Sequence, residues 1–483
     1  MSNDNNLKNK TRKGVFWSTF NTFFNQGITF LFGIILARLL TPNDYGTIGI
    51  LTIFITVISI FVDSGFSVAL IRKEEKKPED YDTQFYFNIG VGFVCYWALF
   101  FIAPCIASYY EMPILCPLLR VLAIKIIIQS FGIVQTALYS INLDFKTPAI
   151  IAIIANVCTG VVGIYMAYVG FGVWSLVAQQ LLSQLIVVGA YWILSKWRPQ
   201  LRFSQESFRY LFGFGSKILG TSLIQTVYNN IYPLVIGGKF GAGDLGLYSR
   251  ANHFAQLPSE NMSMVLNRVS FPVLSSVNKD RERVVSLYTR MLKLTAFIVF
   301  PLMIFLAAIS YPLIELLLGH KWIASAPMLQ ILCMALMWQP ISAINQSILK
   351  VLNRPDLLLK MEFIKRPLGI CIIIVSLYFG MIGVCVGTVL IFLLAFVVDN
   401  ICASIAMGVS KLSQFRQLLS SIVMSVCMGA IIFALNFVFA DNNLKLLFSS
   451  ILFLTMFLVI SKIFFKDTFE ELYNFMILKK SIN

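Results

Sequence analysis

Two histidines and nine cysteines are all that 483 residues offer for metal or thiol chemistry. No two cysteines stand as Cys-x-x-Cys. The usual zinc and dithiol signatures are therefore excluded, and neither a metal nor a cofactor is expected. The cysteines lie mostly inside apolar runs and read as packing residues; only Cys105 and Cys116, flanking one short loop, are placed to pair in an oxidising compartment. Charge is also scarce. Asp, Glu, Lys and Arg make up 13% of the chain, against about a quarter in a soluble domain. The acidic sign is the scarcer, 23 residues against 38 basic ones, for a net charge of +15. A phosphate loop is missing too: Gly213-Phe214-Gly215-Ser216-Lys217 lacks the P-loop spacing and opens an apolar run. The connections on one side of the expected membrane carry no paired carboxylates and are short, whereas acid/base chemistry needs such groups held together over substrate. The chain is expected not to be an enzyme.

What is present is apolar: 58% of the residues are hydrophobic, and the mean hydropathy is +0.79. Runs of about 20 apolar residues, long enough to cross a bilayer core of roughly 30 Å, recur from end to end. The fold class expected is an all-α polytopic membrane protein with about 14 transmembrane helices, the first near 14–37 and the last near 444–464. With the N-terminus inside, 27 of the 38 basic residues fall in cytoplasmic segments, and Arg38, Lys239, Lys321 and Lys445 fall outside. That asymmetry sets the orientation, with both termini cytoplasmic. It also accounts for the positive charge without nucleic acid. Two charged segments carry apolar stripes: Val284, Leu287, Tyr288, Met291 and Leu292, and Phe465, Phe469, Leu472 and Met476. Both are expected to be helices lying at the cytoplasmic interface.

A repeat with an offset of 200 organises the chain. Ile35 to Gly46 matches Val235 to Gly246, with Asp44 opposite Asp244 and Gly46 opposite Gly246. In the first span, Asn21, Asn25 and Thr29 recur at i, i+4, i+8; Thr221, Gln225 and Asn229 repeat that face, and Lys217 extends it by a turn. A polar stripe is costly in lipid, so each face is expected to meet protein or a water-filled cavity. Interhelical hydrogen bonding is the plainer alternative for either stripe alone. The two copies begin six spans apart and so enter the membrane the same way up. Halves of this kind are related by an axis along the membrane normal, with substrate bound near the midplane. The division expected is an N-lobe over 1–197, a C-lobe over 198–408, and two further spans with an amphipathic tail over 409–483.

Charges inside spans need a reason, because an Arg or Lys at a helix centre costs about 2.5–3.5 kcal/mol on insertion scales. Lys217 and Arg250 are the clearest, followed by Arg120, Lys125 and Arg268. Cations facing a cavity suit an anionic substrate such as a diphosphate, where arginine binds two oxygens at once. Snorkelling to the interface accounts for Arg38, Arg268, Lys365 and Arg366. Asp63, Glu315 and Asp399 are candidates for a coupling ion or proton, with a helix-end or ion-pair role as the alternative.

The run Ala37-Arg38-Leu39-Leu40-Thr41-Pro42-x-Asp44-Tyr45-Gly46, then Asp63-Ser64-Gly65-Phe66-Ser67, resembles the bacterial polysaccharide-transporter branch of the multidrug/oligosaccharidyl-lipid/polysaccharide exporter superfamily. Gly246-Leu247-Tyr248-Ser249-Arg250-Ala251 and Leu349 to Pro355 fit the same family. The resemblance implies two six-helix lobes around a central cavity, two C-terminal helices and alternating access. The substrate it implies is an undecaprenyl-diphosphate-linked oligosaccharide, flipped across the cytoplasmic (inner) membrane for O-antigen, capsule or exopolysaccharide assembly. It assigns the diphosphate to Lys217 and Arg250 and, more weakly, to Arg38. The partners implied are membrane lipids, a polysaccharide polymerase and chain-length machinery, with the transporter itself a monomer. Related lipid II flippases carry several arginines in the first span; this chain has none there before Arg38, which argues against a peptidoglycan precursor. Two other functions compete. A drug or organic-cation extruder would want an acidic cavity, for which Asp63 is available. An integral-membrane glycan polymerase or transferase would need a sizeable outer loop.

Overall fold

The computed structural model describes residues 23–277, 280–410, 413–435, 438–439 and 441–464. Among these residues every regular element is helical: α1 (Phe23–Leu39), α2 (Pro42–Asp63), α3 (Phe66–Arg72), α4 (Pro78–Tyr109), α5 (Leu115–Leu122), α6 (Ile124–Ser130), α7 (Ile133–Ile141), α8 (Lys146–Val169), α9 (Val173–Leu194), α10 (Gln205–Phe240), α11 (Ala242–Ser276), α12 (Arg281–Ala308), α13 (Ser310–Leu318), α14 (Ser325–Leu336), α15 (Gln339–Val351), α16 (Pro355–Ser376), α17 (Gly380–Met407), α18 (Ser413–Leu435) and α19 (Asn442–Phe464). Among the described residues, 9 helices are long and apolar enough to cross a membrane, or 10 if the pair bent by 42° between Ser130 and Ile133 is one span. One of these, Pro355–Met407, is divided by a turn with Gly380 at φ 74. The long helices α10 and α11 fall outside that count because polar residues lower their hydropathy. The chain is thus an all-helical multi-pass membrane protein, and its helices group into about the fourteen segments expected.

Helix starts follow local chemistry. The Thr41 side chain accepts from the Asp44 amide, and the Asp44 carboxylate accepts from the Thr41 amide at 2.9 Å, closing a capping box with Pro42 in the first turn. At α8 the Thr147 hydroxyl donates to Asp144 Oδ2 at 2.7 Å. Asp144 Oδ1 accepts from the amides of Lys146 and Thr147, and the helix begins at Lys146.

The helices form two compact units, residues 1–246 and 247–483, and the division falls inside α11. In the first unit α10 packs along α2, α3 and α4, around a core of Phe66, Ala69, Leu70, Ala137 and Leu211. Glycines set how closely these helices approach. A Cβ on Gly65, whose φ is 68, would stand 2.6 Å from the Gly215 carbonyl oxygen. One on Gly215 would stand 2.7 Å from that of Ser64. The sequence around Gly215 that superficially suggests a phosphate loop is therefore helix interior, and its glycine serves a backbone contact.

In the second unit α12 packs against α14 and α18, and α17 against α14, α15 and α16. The apolar stripe of 284–292 corrects one expectation. Val284, Tyr288, Met291 and Leu292 are buried in the first turns of α12, which continues unbroken to Ala308, so this segment is core and not an interfacial helix. The stripe from Phe465 onward lies outside the described residues.

Candidate substrate and coupling residues

On α10, Lys217, Thr221, Gln225 and Asn229 are all exposed and recur every fourth residue. They occupy one helix face about 18 Å long at 1.5 Å per residue. Thr221 turns its hydroxyl back to the carbonyls of Lys217 and Ile218, which leaves Lys217, Gln225 and Asn229 as the outward-reaching groups. Pro233, also on α10, has no amide hydrogen to give the Asn229 carbonyl, so a backbone acceptor lies beside the last side chain of the stripe.

The first-span stripe differs. Asn25 is half-buried and accepts from Asn156 Nδ2 at 2.7 Å, which ties α1 to α8. Thr29 is exposed, and Asn21 lies outside the described residues. Arg38 is exposed at the end of α1.

Arg250 is on α11 in the second unit, half-buried, with His253 nearby. Tyr248, Ala251, Ala255 and Ser259 form the buried face of that helix. Ser259 anchors it by donating to the Leu336 carbonyl at 2.7 Å. Arg250 flanks this face, so α11 is held in place by other side chains.

The remaining intramembrane charges have structural partners. Arg120 lies over the Phe100 ring at 4.1 Å and donates to the Phe100 carbonyl. Lys125 donates to Gln180 Oε1 at 3.2 Å. Lys365 does not snorkel as expected. Its ammonium is 2.9 Å from Asp399 Oδ1, and the Asp399 side chain is 0% exposed. Glu362 bridges Lys365 at 3.2 Å and Arg366 at 2.8 Å. Asp399 is thus held as an ion pair, and Glu315 accepts from Asn442 at 2.9 Å. Breaking a buried pair strands a charge, so Lys365→Met should cost about 3–5 kcal/mol. Lys365→Met with Asp399→Leu should recover most of that loss. Thermal unfolding of the purified variants measures both, and an unchanged midpoint for the single variant would remove the pair from the stability of α16 and α17.

Sequence reasoning missed a buried polar group in the first unit: Asp80, Gln84 and Asn88, all 0% exposed. They stand at i, i+4, i+8 on α4, the same spacing that drew attention to the first span. It also missed the hydrogen bond from Tyr288 to Asn345 Oδ1, for which the sequence carries no local signal. Cys105 and Cys116 are both free. Among the described residues no three His, Cys, Asp or Glu side chains gather to hold a metal ion.

A family model described as "Polysaccharide biosynthesis protein" matches residues 35–327, more than half of the chain. The chain belongs to the polysaccharide biosynthesis protein family. Within it, the chain is similar to the succinoglycan biosynthesis transport protein ExoT of Rhizobium meliloti, 27% identical over 68% of this chain and 67% of ExoT. It is also similar to the lipopolysaccharide biosynthesis protein WzxC of Escherichia coli, 26% identical over 86% of this chain and 85% of WzxC. Among solved structures the fold matches the lipid II flippase MurJ in an inward closed conformation, with a TM-score of 0.76 at 17% identity, over 94% of this chain and 99% of MurJ. The family match takes in Arg38, Asp63, Lys217, Gln225, Asn229 and Arg250.

Proposed function

We propose that this member of the polysaccharide biosynthesis protein family is a flippase. It carries an undecaprenyl-diphosphate-linked oligosaccharide across the bacterial cytoplasmic membrane by alternating access, for O-antigen, capsule or exopolysaccharide assembly. The observation that carries the reading is the α10 face of Lys217, Thr221, Gln225 and Asn229, exposed along one membrane helix in a fold shared with a flippase. Such a face offers hydroxyl-rich sugars hydrogen-bond partners and offers the diphosphate a cation. Lys217 and Arg250 serve the diphosphate, with Arg38 a weaker contributor. Asn25 extends the polar surface alongside its bond to Asn156, and Asn21, outside the described residues, is assigned to substrate from its sequence position alone. The lobes proposed are 1–197 and 198–408, with 409–483 appended and both termini cytoplasmic. The protein works as a monomer, supplying a polymerase and chain-length machinery on the far side. The role is transport and not catalysis, and energy comes from an ion gradient, the membrane potential or removal of product.

Reconstitution tests this. Purified protein in liposomes should move a fluorescent diphosphate-linked glycolipid between leaflets without ATP. Uptake of organic cations with no glycolipid movement would instead favour the extruder.

A further inference from the structure

Three amides in the first unit are completely buried: Gln84 and Asn88 on α4 and Gln135 on α7, each 0% exposed. Gln84 Oε1, both polar atoms of Asn88 and both of Gln135 have no hydrogen-bond partner among the described residues. Buried side-chain polar atoms are nearly always satisfied, and each that is not costs about 1–3 kcal/mol. Gln84, Asn88 and Gly92 share one face of α4, and α7, which carries Gln135, packs against α4. A Cβ on Gly92 of α4 would stand 3.0 Å from Ser130. Asn88 is one turn before Gly92 on α4, and Gln135 is five residues beyond Ser130 on α7. Gln84 Nε2 donates to Ser67 Oγ at 3.2 Å, and Ser67 Oγ donates to Asp63 Oδ1 at 2.5 Å.

Asp63 is the titratable member of this group, at the break between α2 and α3, where Ser64 and Gly65 are left-handed with φ 51 and 68. The contrast with Asp399 is informative. That carboxylate has the Lys365 ammonium at 2.9 Å. Lys73, His320, Arg354, Lys365 and Arg366 make ion pairs among the described residues, and none of these includes Asp63. One intramembrane carboxylate carries a tethered cation, and the other accepts from the neutral Ser67 hydroxyl, which in turn accepts from Gln84.

We infer that Asp63, Ser67, Gln84, Asn88 and Gln135 form a binding site for one monovalent alkali cation of sodium size. The donors are a carboxylate, a hydroxyl and three amide carbonyls, all hard oxygen ligands of the kind such ions take. One negative charge is matched by one positive charge, whereas a divalent ion would leave a net charge buried. A proton would neutralise Asp63 but leave the amide oxygens unsatisfied. The two amide nitrogens suit a water retained by the ion. Binding would neutralise a carboxylate at the α2–α3 break, one residue from the Ser64 and Gly65 backbone that packs on Gly215, and so couple ion occupancy to that helix contact. The coupling role rests on the transport reading; the binding does not.

The test uses purified full-length protein in detergent at constant ionic strength, with choline replacing sodium. Wild-type protein should melt at a higher temperature as sodium rises, with saturation. Asp63→Asn should abolish the shift, and Asn88→Ala should weaken binding about tenfold. No sodium-dependent shift in the wild type overturns the site. So does a shift that survives both substitutions, or a stabilisation that follows pH and not sodium. Should a variant not give monodisperse protein, radioactive sodium binding to the wild type decides: saturable binding that choline does not displace supports the site, and its absence overturns it. No glycolipid is present, so failure here leaves the flippase reading intact. Failed flipping with intact sodium binding would remove the flippase reading and leave the site.

Discussion

Arg250→Ala should abolish surface polysaccharide while leaving the protein in the membrane at its normal level. The α11 helix is fixed by Tyr248, Ala251, Ala255 and Ser259, all buried, and alanine is the best helix former, so the backbone should survive the change. What is lost is a planar guanidinium able to hold two phosphate oxygens at once. Hydrogen bonds to charged groups contribute about 1.5–3 kcal/mol each, and two of them correspond to at least a hundredfold in affinity. Arg250→Lys keeps the charge but not the fork and should restore export only in part. Lys217→Ala should fall between the two, since Lys217 is exposed and offers a point charge. Polysaccharide is read by immunoblot of the cell surface and the protein by immunoblot of membranes. Wild-type export from the Arg250→Ala strain would take Arg250 out of the site.

The second large effect belongs to the two glycines of the repeat. A Cβ on Gly46 would stand 1.6 Å from the Ala242 carbonyl oxygen, and one on Gly246 would stand 1.9 Å from that of Pro42. The contact is reciprocal at the same offset of 200: residue 46 meets 242, and residue 246 meets 42. Backbone cannot yield as a flexible side chain can, so even a methyl group must push the start of α2 away from the start of α11. Overpacking of this kind costs about 1–3 kcal/mol, and more where backbone atoms collide. Gly46→Ala and Gly246→Ala should therefore each lower the melting temperature and reduce export at least tenfold. Gly243, three residues from Gly246 and with nothing within 4 Å of its would-be Cβ, is the control. If Gly46→Ala melts with Gly243→Ala, the close crossing does not exist in the protein.

Those glycines show what a sequence conveys and what it withholds. The duplicated Asp-x-Gly string is visible on inspection and reads as helix-start chemistry. Asp44 bears that out through its capping box with Thr41. The second copy has Gly241, with φ 88, where the first has Thr41, so that cap is not repeated. The glycine carries the shared meaning, and only the close approach of two backbones reveals it. Spans are legible because a 20-residue apolar run is a property of one stretch of chain. Pairings across spans are not. Nothing local in the sequence distinguishes Lys365, paired with Asp399, from a snorkelling lysine, or Asn25, bonded to Asn156, from a cavity amide. The α10 stripe was legible because four polar residues share one face, and Asp80, Gln84 and Asn88 obey the same spacing. They differ in being buried, which spacing alone does not disclose.

The Lys365–Asp399 pair also constrains how the chain is made. As α16 leaves the ribosome it presents a lysine to the bilayer, and α17 alone would present an aspartate. A charge entering the bilayer singly meets a barrier, about 2.5–3.5 kcal/mol at a helix centre. The two helices are joined by only Leu377–Phe379 and a turn at Gly380, whose φ of 74 suits glycine. A connection this short lets the translocon release both helices together, as a hairpin whose charges already cancel. Lengthening that turn, or forcing a bulkier residue into it, would strike at biogenesis before any substrate is met.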